Sequence, residues 1–163
     1  MTIHINIGSN LGEREATLRR ATDFIISALP GTARISRPYE SKAWGYHSEN
    51  AFLNIGISIE LDTPQDAHDI LLTLRAIERS IDSHPHRDDT GAYIDRNIDI
   101  DLIAIDDIVT DTTELTLPHP RMHLREFVLV PMTETAPDWL HPILHLTPRQ
   151  LIDRLRCDDC SGR

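Results

Sequence analysis

The sequence is short of cysteine, of aromatic side chains and of positive charge. Two cysteines in 163 residues leave no disulfide framework, and none is needed, because a domain of about this length buries roughly two-thirds of its unfolded surface. Cys157 and Cys160 form a Cys-x-x-Cys near the end without the further ligands of a zinc site. Residues 1–163 therefore read as a single domain, with 156–163 as a flexible tail. Lys and Arg number 16 against 26 Asp and Glu, a formal net charge of −10. Such a balance lacks the basic stripe that neutralises nucleic-acid phosphates, so no nucleic acid is expected as a partner. No apolar run is long enough to cross a bilayer, and Met1 leads into Thr-Ile-His-Ile-Asn-Ile without a basic or apolar leader. A soluble, cytoplasmic protein without a membrane partner is expected.

What the chain does have is clean periodicity. Ile3, Ile5 and Ile7 alternate with His4, Asn6 and Gly8, the mark of a strand with one buried face. Leu18, Ala21, Ile25, Ala28 and Leu29 recur at helical spacing until Pro30-Gly31. Ile35 and Tyr39 suit one further strand, followed by an irregular loop from Ser41 to Asn50. Leu53, Ile55, Ile57, Ile59 and Leu61 alternate without a fault. Thr63-Pro64 predicts the start of a helix, with Thr63 as N-cap and the stripe Ala67, Ile70, Leu71, Leu74, Ile77 and Ile81 buried. Residues 98–105 alternate again, placing Asp99, Asp101, Ile103 and Ile105 on one face. A helix is expected around Arg125 to Thr133 and another from Thr147, where Thr147 and Gln150 form a capping box. This order predicts an α+β fold, a ferredoxin-like sandwich with a mostly antiparallel central sheet covered by helices.

The sharpest chemical feature is Asp95-Arg96-Asn97-Ile98-Asp99-Ile100-Asp101. A period of two points Asp99 and Asp101 to one side, where two carboxylates repel unless a cation offsets them. Mg²⁺ suits such a pair, since it takes oxygen ligands and binds through one or two carboxylates plus substrate phosphates. The alternative is a solvated strand end paired with Arg96. Arg87, Arg96, His119, Arg121, His123 and Arg125 fall in or beside loops, and supply the donors a polyphosphate requires in an acidic protein. Phe52 and Asn54 share a strand face, pairing a flat ring with an amide able to read a heterocycle edge. An ordinary second core layer is the other reading of those two. Gly8-Ser9-Asn10-Leu11-Gly12 lacks the spacing of a phosphate loop or a dinucleotide fingerprint, and is read as a tight turn that starts the helix and lines a ligand site with Asn10.

Together, Ile-Gly-Ser-Asn-Leu at 7–11, Phe-Leu-Asn at 52–54, Glu78, the 95–102 segment, Leu-Thr-Leu-Pro-His-Pro-Arg-Met at 115–122 and Arg-Glu-Phe-Val-Leu at 125–129 resemble the 6-hydroxymethyl-7,8-dihydropterin pyrophosphokinases of folate biosynthesis. The resemblance implies a monomeric enzyme that transfers the diphosphate of ATP to the pterin, with two Mg²⁺ ions on Asp99 and Asp101. It implies a pterin slot formed by Phe52, Phe127 and Asn54 with Ser41, Lys42 and Trp44. It further implies nucleoside contacts from Glu78, Leu102, Leu115 and Thr116, and phosphate contacts from Arg96, His119 and Arg125. Tyr93 matches a residue that closes the site. Ser-His-Pro-His-Arg at 83–87 departs from the family's usual Gly-Arg-x-Arg, which leaves Arg87, or else His86, as the mobile phosphate-binding residue.

Overall fold

The computed structural model describes residues 1–84 and 87–161; His86 lies outside them. Strand β1 (Thr2–Ser9) is the centre of the sheet. It pairs antiparallel with β4 (Phe52–Leu61) on one side and β5 (Asp99–Ile105) on the other. The outer side of β4 carries two short strands, β2 (Gly31–Ile35) against its second half and β3 (Tyr39–Ser41) against its start. One strand was expected where these two stand; Pro38 has no backbone N–H to donate between them, and the pairing with β4 slips by one residue there, from Ile35 opposite Ile57 to Tyr39 opposite Asn54. A two-stranded ribbon, β6 (Thr110–Asp111) with β7 (Thr116–Leu117), lies apart.

Two hydrophobic cores follow from the two faces of the sheet. Ile3, Ile5 and Ile7 of β1 and Leu53, Ile57, Ile59 and Leu61 of β4 pack under helix α1 (Arg14–Ala28) and helix α2 (Ala67–Ile81). On the other face, Val128, Leu129 and Met132 of α3 (Glu126–Thr135) join Leu151 and Ile152 of α4 (Pro148–Ser161). Each fully buried Ile or Leu contributes on the order of 1.5–3 kcal/mol. The α+β, mainly antiparallel sandwich expected from the order of elements holds, with helices on both faces.

Several local details differ from the sequence reading. Asp66, not Thr63, caps α2: its carboxylate accepts from the N–H groups of His68 at 2.8 Å and Asp69 at 3.4 Å. Helix α4 starts at the predicted box, where Thr147 N–H donates to Gln150 Oε1 at 2.9 Å and Gln150 N–H donates to Thr147 Oγ1 at 3.3 Å. It then continues through Ser161, so residues 156–161 are helical where a tail was expected. Strand β1 runs on through Gly8 and Ser9, and the turn is left to residues 10–13 with Gly12 at φ +63°. Finally, β5 is bulged: Ile5 faces Leu102 but His4 faces Ala104. Ile103 therefore enters the second core while Ile105 returns to the first, breaking the alternation expected of them. The carbonyl of Ile103 accepts from the His119 N–H at 2.7 Å, which fixes the Pro118-His119-Pro120 segment against the strand.

Gly56 sets the distance between α3 and the sheet. A Cβ there would come within 2.7 Å of Pro131 Cβ, and a proline ring has no rotamer to yield. Gly56→Ala is expected to cost about 1–3 kcal/mol, the usual range for overpacking, read as a lowered midpoint in urea unfolding.

Candidate active site

At one end of the sheet, the second face is left uncovered and becomes the floor of a cavity of about 260 Å³. Register builds this floor in rows. Asn54, Gly8 and Asp99 lie across β4, β1 and β5, and Gly56, Asn6 and Asp101 form the next row. Phe52 and Phe127 enter from opposite sides, the first from the start of β4 and the second from the first turn of α3. Asn54 donates from Nδ2 to the Tyr39 carbonyl at 3.0 Å and to Ser41 Oγ at 2.9 Å, which orients its amide. A Cβ at Gly8 would lie 3.1 Å from Asn54 Oδ1 and 3.3 Å from the Phe52 ring; the glycine keeps that part of the slot open.

The walls are cationic. Arg96 lies 3.3 Å from Asp99 and Arg125 lies 3.5 Å from Asp101. Arg125 is 8% exposed and stacks over Trp44, 4.6 Å from its centroid. Arg121 lies over the same ring at 5.2 Å and donates to the Tyr93 hydroxyl at 3.4 Å. Arg87 stacks on Tyr93 at 4.0 Å, with one guanidinium N–H donated to the Gly91 carbonyl at 2.7 Å. Among the described residues, the Nε groups of Arg96 and Arg125 are buried donors with no acceptor. Unpaired charged donors of this kind are costly.

Titration behaviour follows the same geometry. Burial raises the Asp101 pKa, and Arg125, Arg96 and Arg121 only partly offset it, so a cation beside this carboxylate would favour its charged form. Burial, then Arg125 and Arg121, lowers His119 to about 4. Its Nδ1 accepts from the Arg121 N–H at 3.2 Å, which leaves the proton of the neutral ring on Nε2 as a donor.

The 95–98 segment is held from three directions. Asp95 accepts from Asn10 Nδ2 at 2.8 Å, the Tyr46 hydroxyl at 3.1 Å and Asn50 Nδ2 at 2.5 Å. Asn10 Oδ1 accepts from the Arg96 N–H at 2.9 Å. Asp82 accepts from Asn97 N–H at 3.1 Å and from His84 N–H at 3.0 Å; burial opposes its charge, but these bonds win and bring it down to about 2. Asn10 is thus a brace for the loop and not a lining residue, contrary to the expectation for it.

The sequence matches the 7,8-dihydro-6-hydroxymethylpterin-pyrophosphokinase (HPPK) family over residues 4–137. The chain belongs to that family. It is 37% identical over 142 residues to the 2-amino-4-hydroxy-6-hydroxymethyldihydropteridine pyrophosphokinase of Porphyromonas gingivalis, covering 86% of this chain and 93% of that one. The enzyme of that name from Aquifex aeolicus is 32% identical over 143 residues, covering 87% and 84%. Among solved structures, Plasmodium falciparum HPPK-DHPS superposes with a TM-score of 0.69 at 12% identity, covering 94% of this chain and 44% of that chain. Its pteroate complex gives 0.70 at 14%, covering 94% and 42%. This HPPK chain therefore spans less than half of those proteins, and their likeness concerns the fold.

Most of the residues named from the sequence meet in the cavity: Ser41, Lys42, Trp44, Phe52, Asn54, Arg87, Tyr93, Arg96, Asp99, Asp101, His119, Arg125 and Phe127 all line it. Four do not. Glu78 sits behind β5, where its Oε1 accepts from the Ile100 N–H at 2.8 Å. Leu102 is buried in the first core and Leu115 packs against it. Thr116 donates to Asp111 Oδ1 at 2.9 Å and lines a neighbouring apolar cavity that shares His119 with the first. Arg121, one of the basic residues named from the sequence, lines it as well, and two lining residues were not anticipated as site residues: Asn6 and Gly8. Asn6 and Gly8 were legible only as the polar face of β1, and the pairing with Asp101 and Asp99 is what makes them part of the floor.

Among the described residues, no helix is long and apolar enough to cross a membrane. No group of three or more His, Cys, Asp and Glu side chains there could hold a metal.

Proposed function

We propose that the cavity holds a reduced pterin and ATP side by side, and that Asp99 and Asp101 hold Mg²⁺ between them. The reaction is that of the family: the chain transfers the β,γ-diphosphate of ATP as one unit to 6-hydroxymethyl-7,8-dihydropterin, giving AMP and the pterin diphosphate in folate biosynthesis. The observation carrying this reading is the pairing, in one cavity, of two cavity-facing carboxylates with two buried arginine Nε donors that have no acceptor.

The pterin ring lies between Phe52 and Phe127, with the Asn54 amide on its polar edge and the backbone around Ser41, Lys42 and Trp44 completing the pocket. Asp99 and Asp101 fit Mg²⁺ by donor type, being hard oxygen ligands on one face, and two ions suit a site that keeps most of its shell for phosphate oxygens. Bound there, Mg²⁺ supplies charge neutralisation and makes a nearby hydroxyl more acidic. As ATP enters, Arg96 and Arg125 exchange carboxylate partners for phosphate oxygens, His119 donates from Nε2 to another, and Arg87 and Tyr93 close the open side. The nucleoside extends toward the apolar cavity of Thr116 and Leu117, with Glu78, Leu102 and Leu115 supporting its wall from behind. Catalysis by these residues is positioning and electrostatic stabilisation, with no covalent enzyme intermediate.

The test is an incubation of the protein with ATP, Mg²⁺ and the reduced pterin alcohol, followed by separation of nucleotides. AMP is expected in proportion to pterin, and only when pterin is present. Binding without AMP would indicate a non-catalytic ligand module, and phosphate or diphosphate released without pterin would indicate a hydrolase.

A further inference from the structure

Asn6 has no place in the chemistry described so far. It is 5% exposed, lies on the cavity floor, and its amide oxygen is buried without a hydrogen-bond donor among the described residues. Nothing in the fold requires an amide there. Its neighbours across the strands are Gly56, covered by Pro131 of α3, and Asp101, and an aliphatic side chain on that floor would leave no polar atom unpaired. A buried amide that the protein itself does not satisfy is a cost to the free molecule, and such costs persist where a ligand relieves them.

Register identifies the part of the ligand that arrives at this point. The ring slot belongs to the row of Asn54 and Gly8, whereas Asn6 stands one row further along, directly opposite Asp101. Resting on the proposed function, a pterin held by its polar edge at Asn54 must direct its hydroxymethyl arm toward the two carboxylates, and so past Asn6. A hydroxyl both donates and accepts, and a primary amide does the same. Rotation about the last side-chain bond of Asn6, which is soft, turns either end of the amide toward the arm.

We propose that Asn6 is a specificity residue of this enzyme, hydrogen-bonded to the acceptor hydroxyl of the substrate and holding its oxygen beside Asp101. The bond makes the protein discriminate a hydroxymethylpterin from the same pterin carrying a plain methyl group.

The test pairs two ligands with one substitution. Binding of the 6-hydroxymethyl and 6-methyl reduced pterins is measured by calorimetry, in the presence of Mg²⁺ and a non-hydrolysable ATP analogue, for the parent protein and for Asn6→Ala. The parent is expected to prefer the hydroxymethyl compound by about five- to tenfold, the worth of one neutral hydrogen bond. In Asn6→Ala that preference should collapse toward one, with affinity for the methyl compound unchanged. The melting temperature of the free variant should equal or exceed that of the parent, because the lost amide had no partner. A preference that survives in Asn6→Ala overturns the assignment, as does an equal loss of affinity for both compounds with a lowered melting temperature, the sign of a structural role. Failure of the underlying function is seen separately, as absence of pterin-dependent AMP from the parent protein.

Discussion

Asp99→Asn and Asp101→Asn should each lower kcat/KM for diphosphate transfer by about a thousandfold or more, with a melting temperature close to that of the parent. Asparagine keeps the volume and one oxygen of aspartate and removes only the charge, so the substitution isolates electrostatics from shape. If the carboxylates served merely to pair Arg96 at 3.3 Å and Arg125 at 3.5 Å, removing one charge would leave a largely buried guanidinium without its partner, and the loss would appear as a lowered melting temperature. Loss of a cation that neutralises a triphosphate instead removes several kcal/mol from the transition state, which is about two decades or more in rate. Steady-state assays, with Mn²⁺ affinity followed by its electron paramagnetic resonance signal, separate the two cases. A variant with near-native turnover and unaltered Mn²⁺ binding would place the cation on other groups.

That these two aspartates share a face was legible from a period of two, as was the pairing of Phe52 with Asn54. The same arithmetic misplaced Ile105, because a bulge is an extra residue that the side-chain pattern does not announce when both neighbouring faces are apolar. The cap of α2 shifted from Thr63 to Asp66 for a similar reason: both residues suit the position, and only the backbone path decides which carboxylate or hydroxyl reaches the free N–H groups. The sheet was predictable strand by strand, but the cavity floor depends on which strands are neighbours. Asn6 became a site residue through its register with Asp101, a relation between residues 95 positions apart to which local periodicity is blind. Phe127 could be named only through the family's Arg-x-Phe pattern, since nothing in the local sequence says that the start of α3 meets the start of β4.

Glu78 illustrates how a residue outside the cavity can still answer to it. Strand β5 is the edge of the sheet beyond β1, so the outward N–H of Ile100 needs a partner, and Glu78 Oε1 accepts it at 2.8 Å. Burial, with Asp99 and Asp101 close by, raises Glu78 from 4.5 to about 7, against the opposing effects of the Ile100 bond and Arg96. In the unfolded chain this carboxyl loses its proton near the ordinary value, while the folded protein keeps it until about pH 7. The folded state therefore binds more protons across that window, and stability falls as pH rises through it, by about 3 kcal/mol in all. Glu78→Gln stays neutral at every pH and retains an oxygen for Ile100. Relative to the parent, it should melt at nearly the same temperature at pH 4.5 and about 5–10 °C higher at pH 8. Mg²⁺ with a non-hydrolysable ATP analogue should narrow the gap at pH 8, because positive charge at Asp99 and Asp101 draws the Glu78 pKa down. Thermal unfolding of both proteins at pH 4.5, 6 and 8, with and without ligand, measures this. Parallel pH profiles for parent and variant would show that Glu78 is already ionised in the free enzyme, and that the anchor of β5 carries no memory of the charge in front of it.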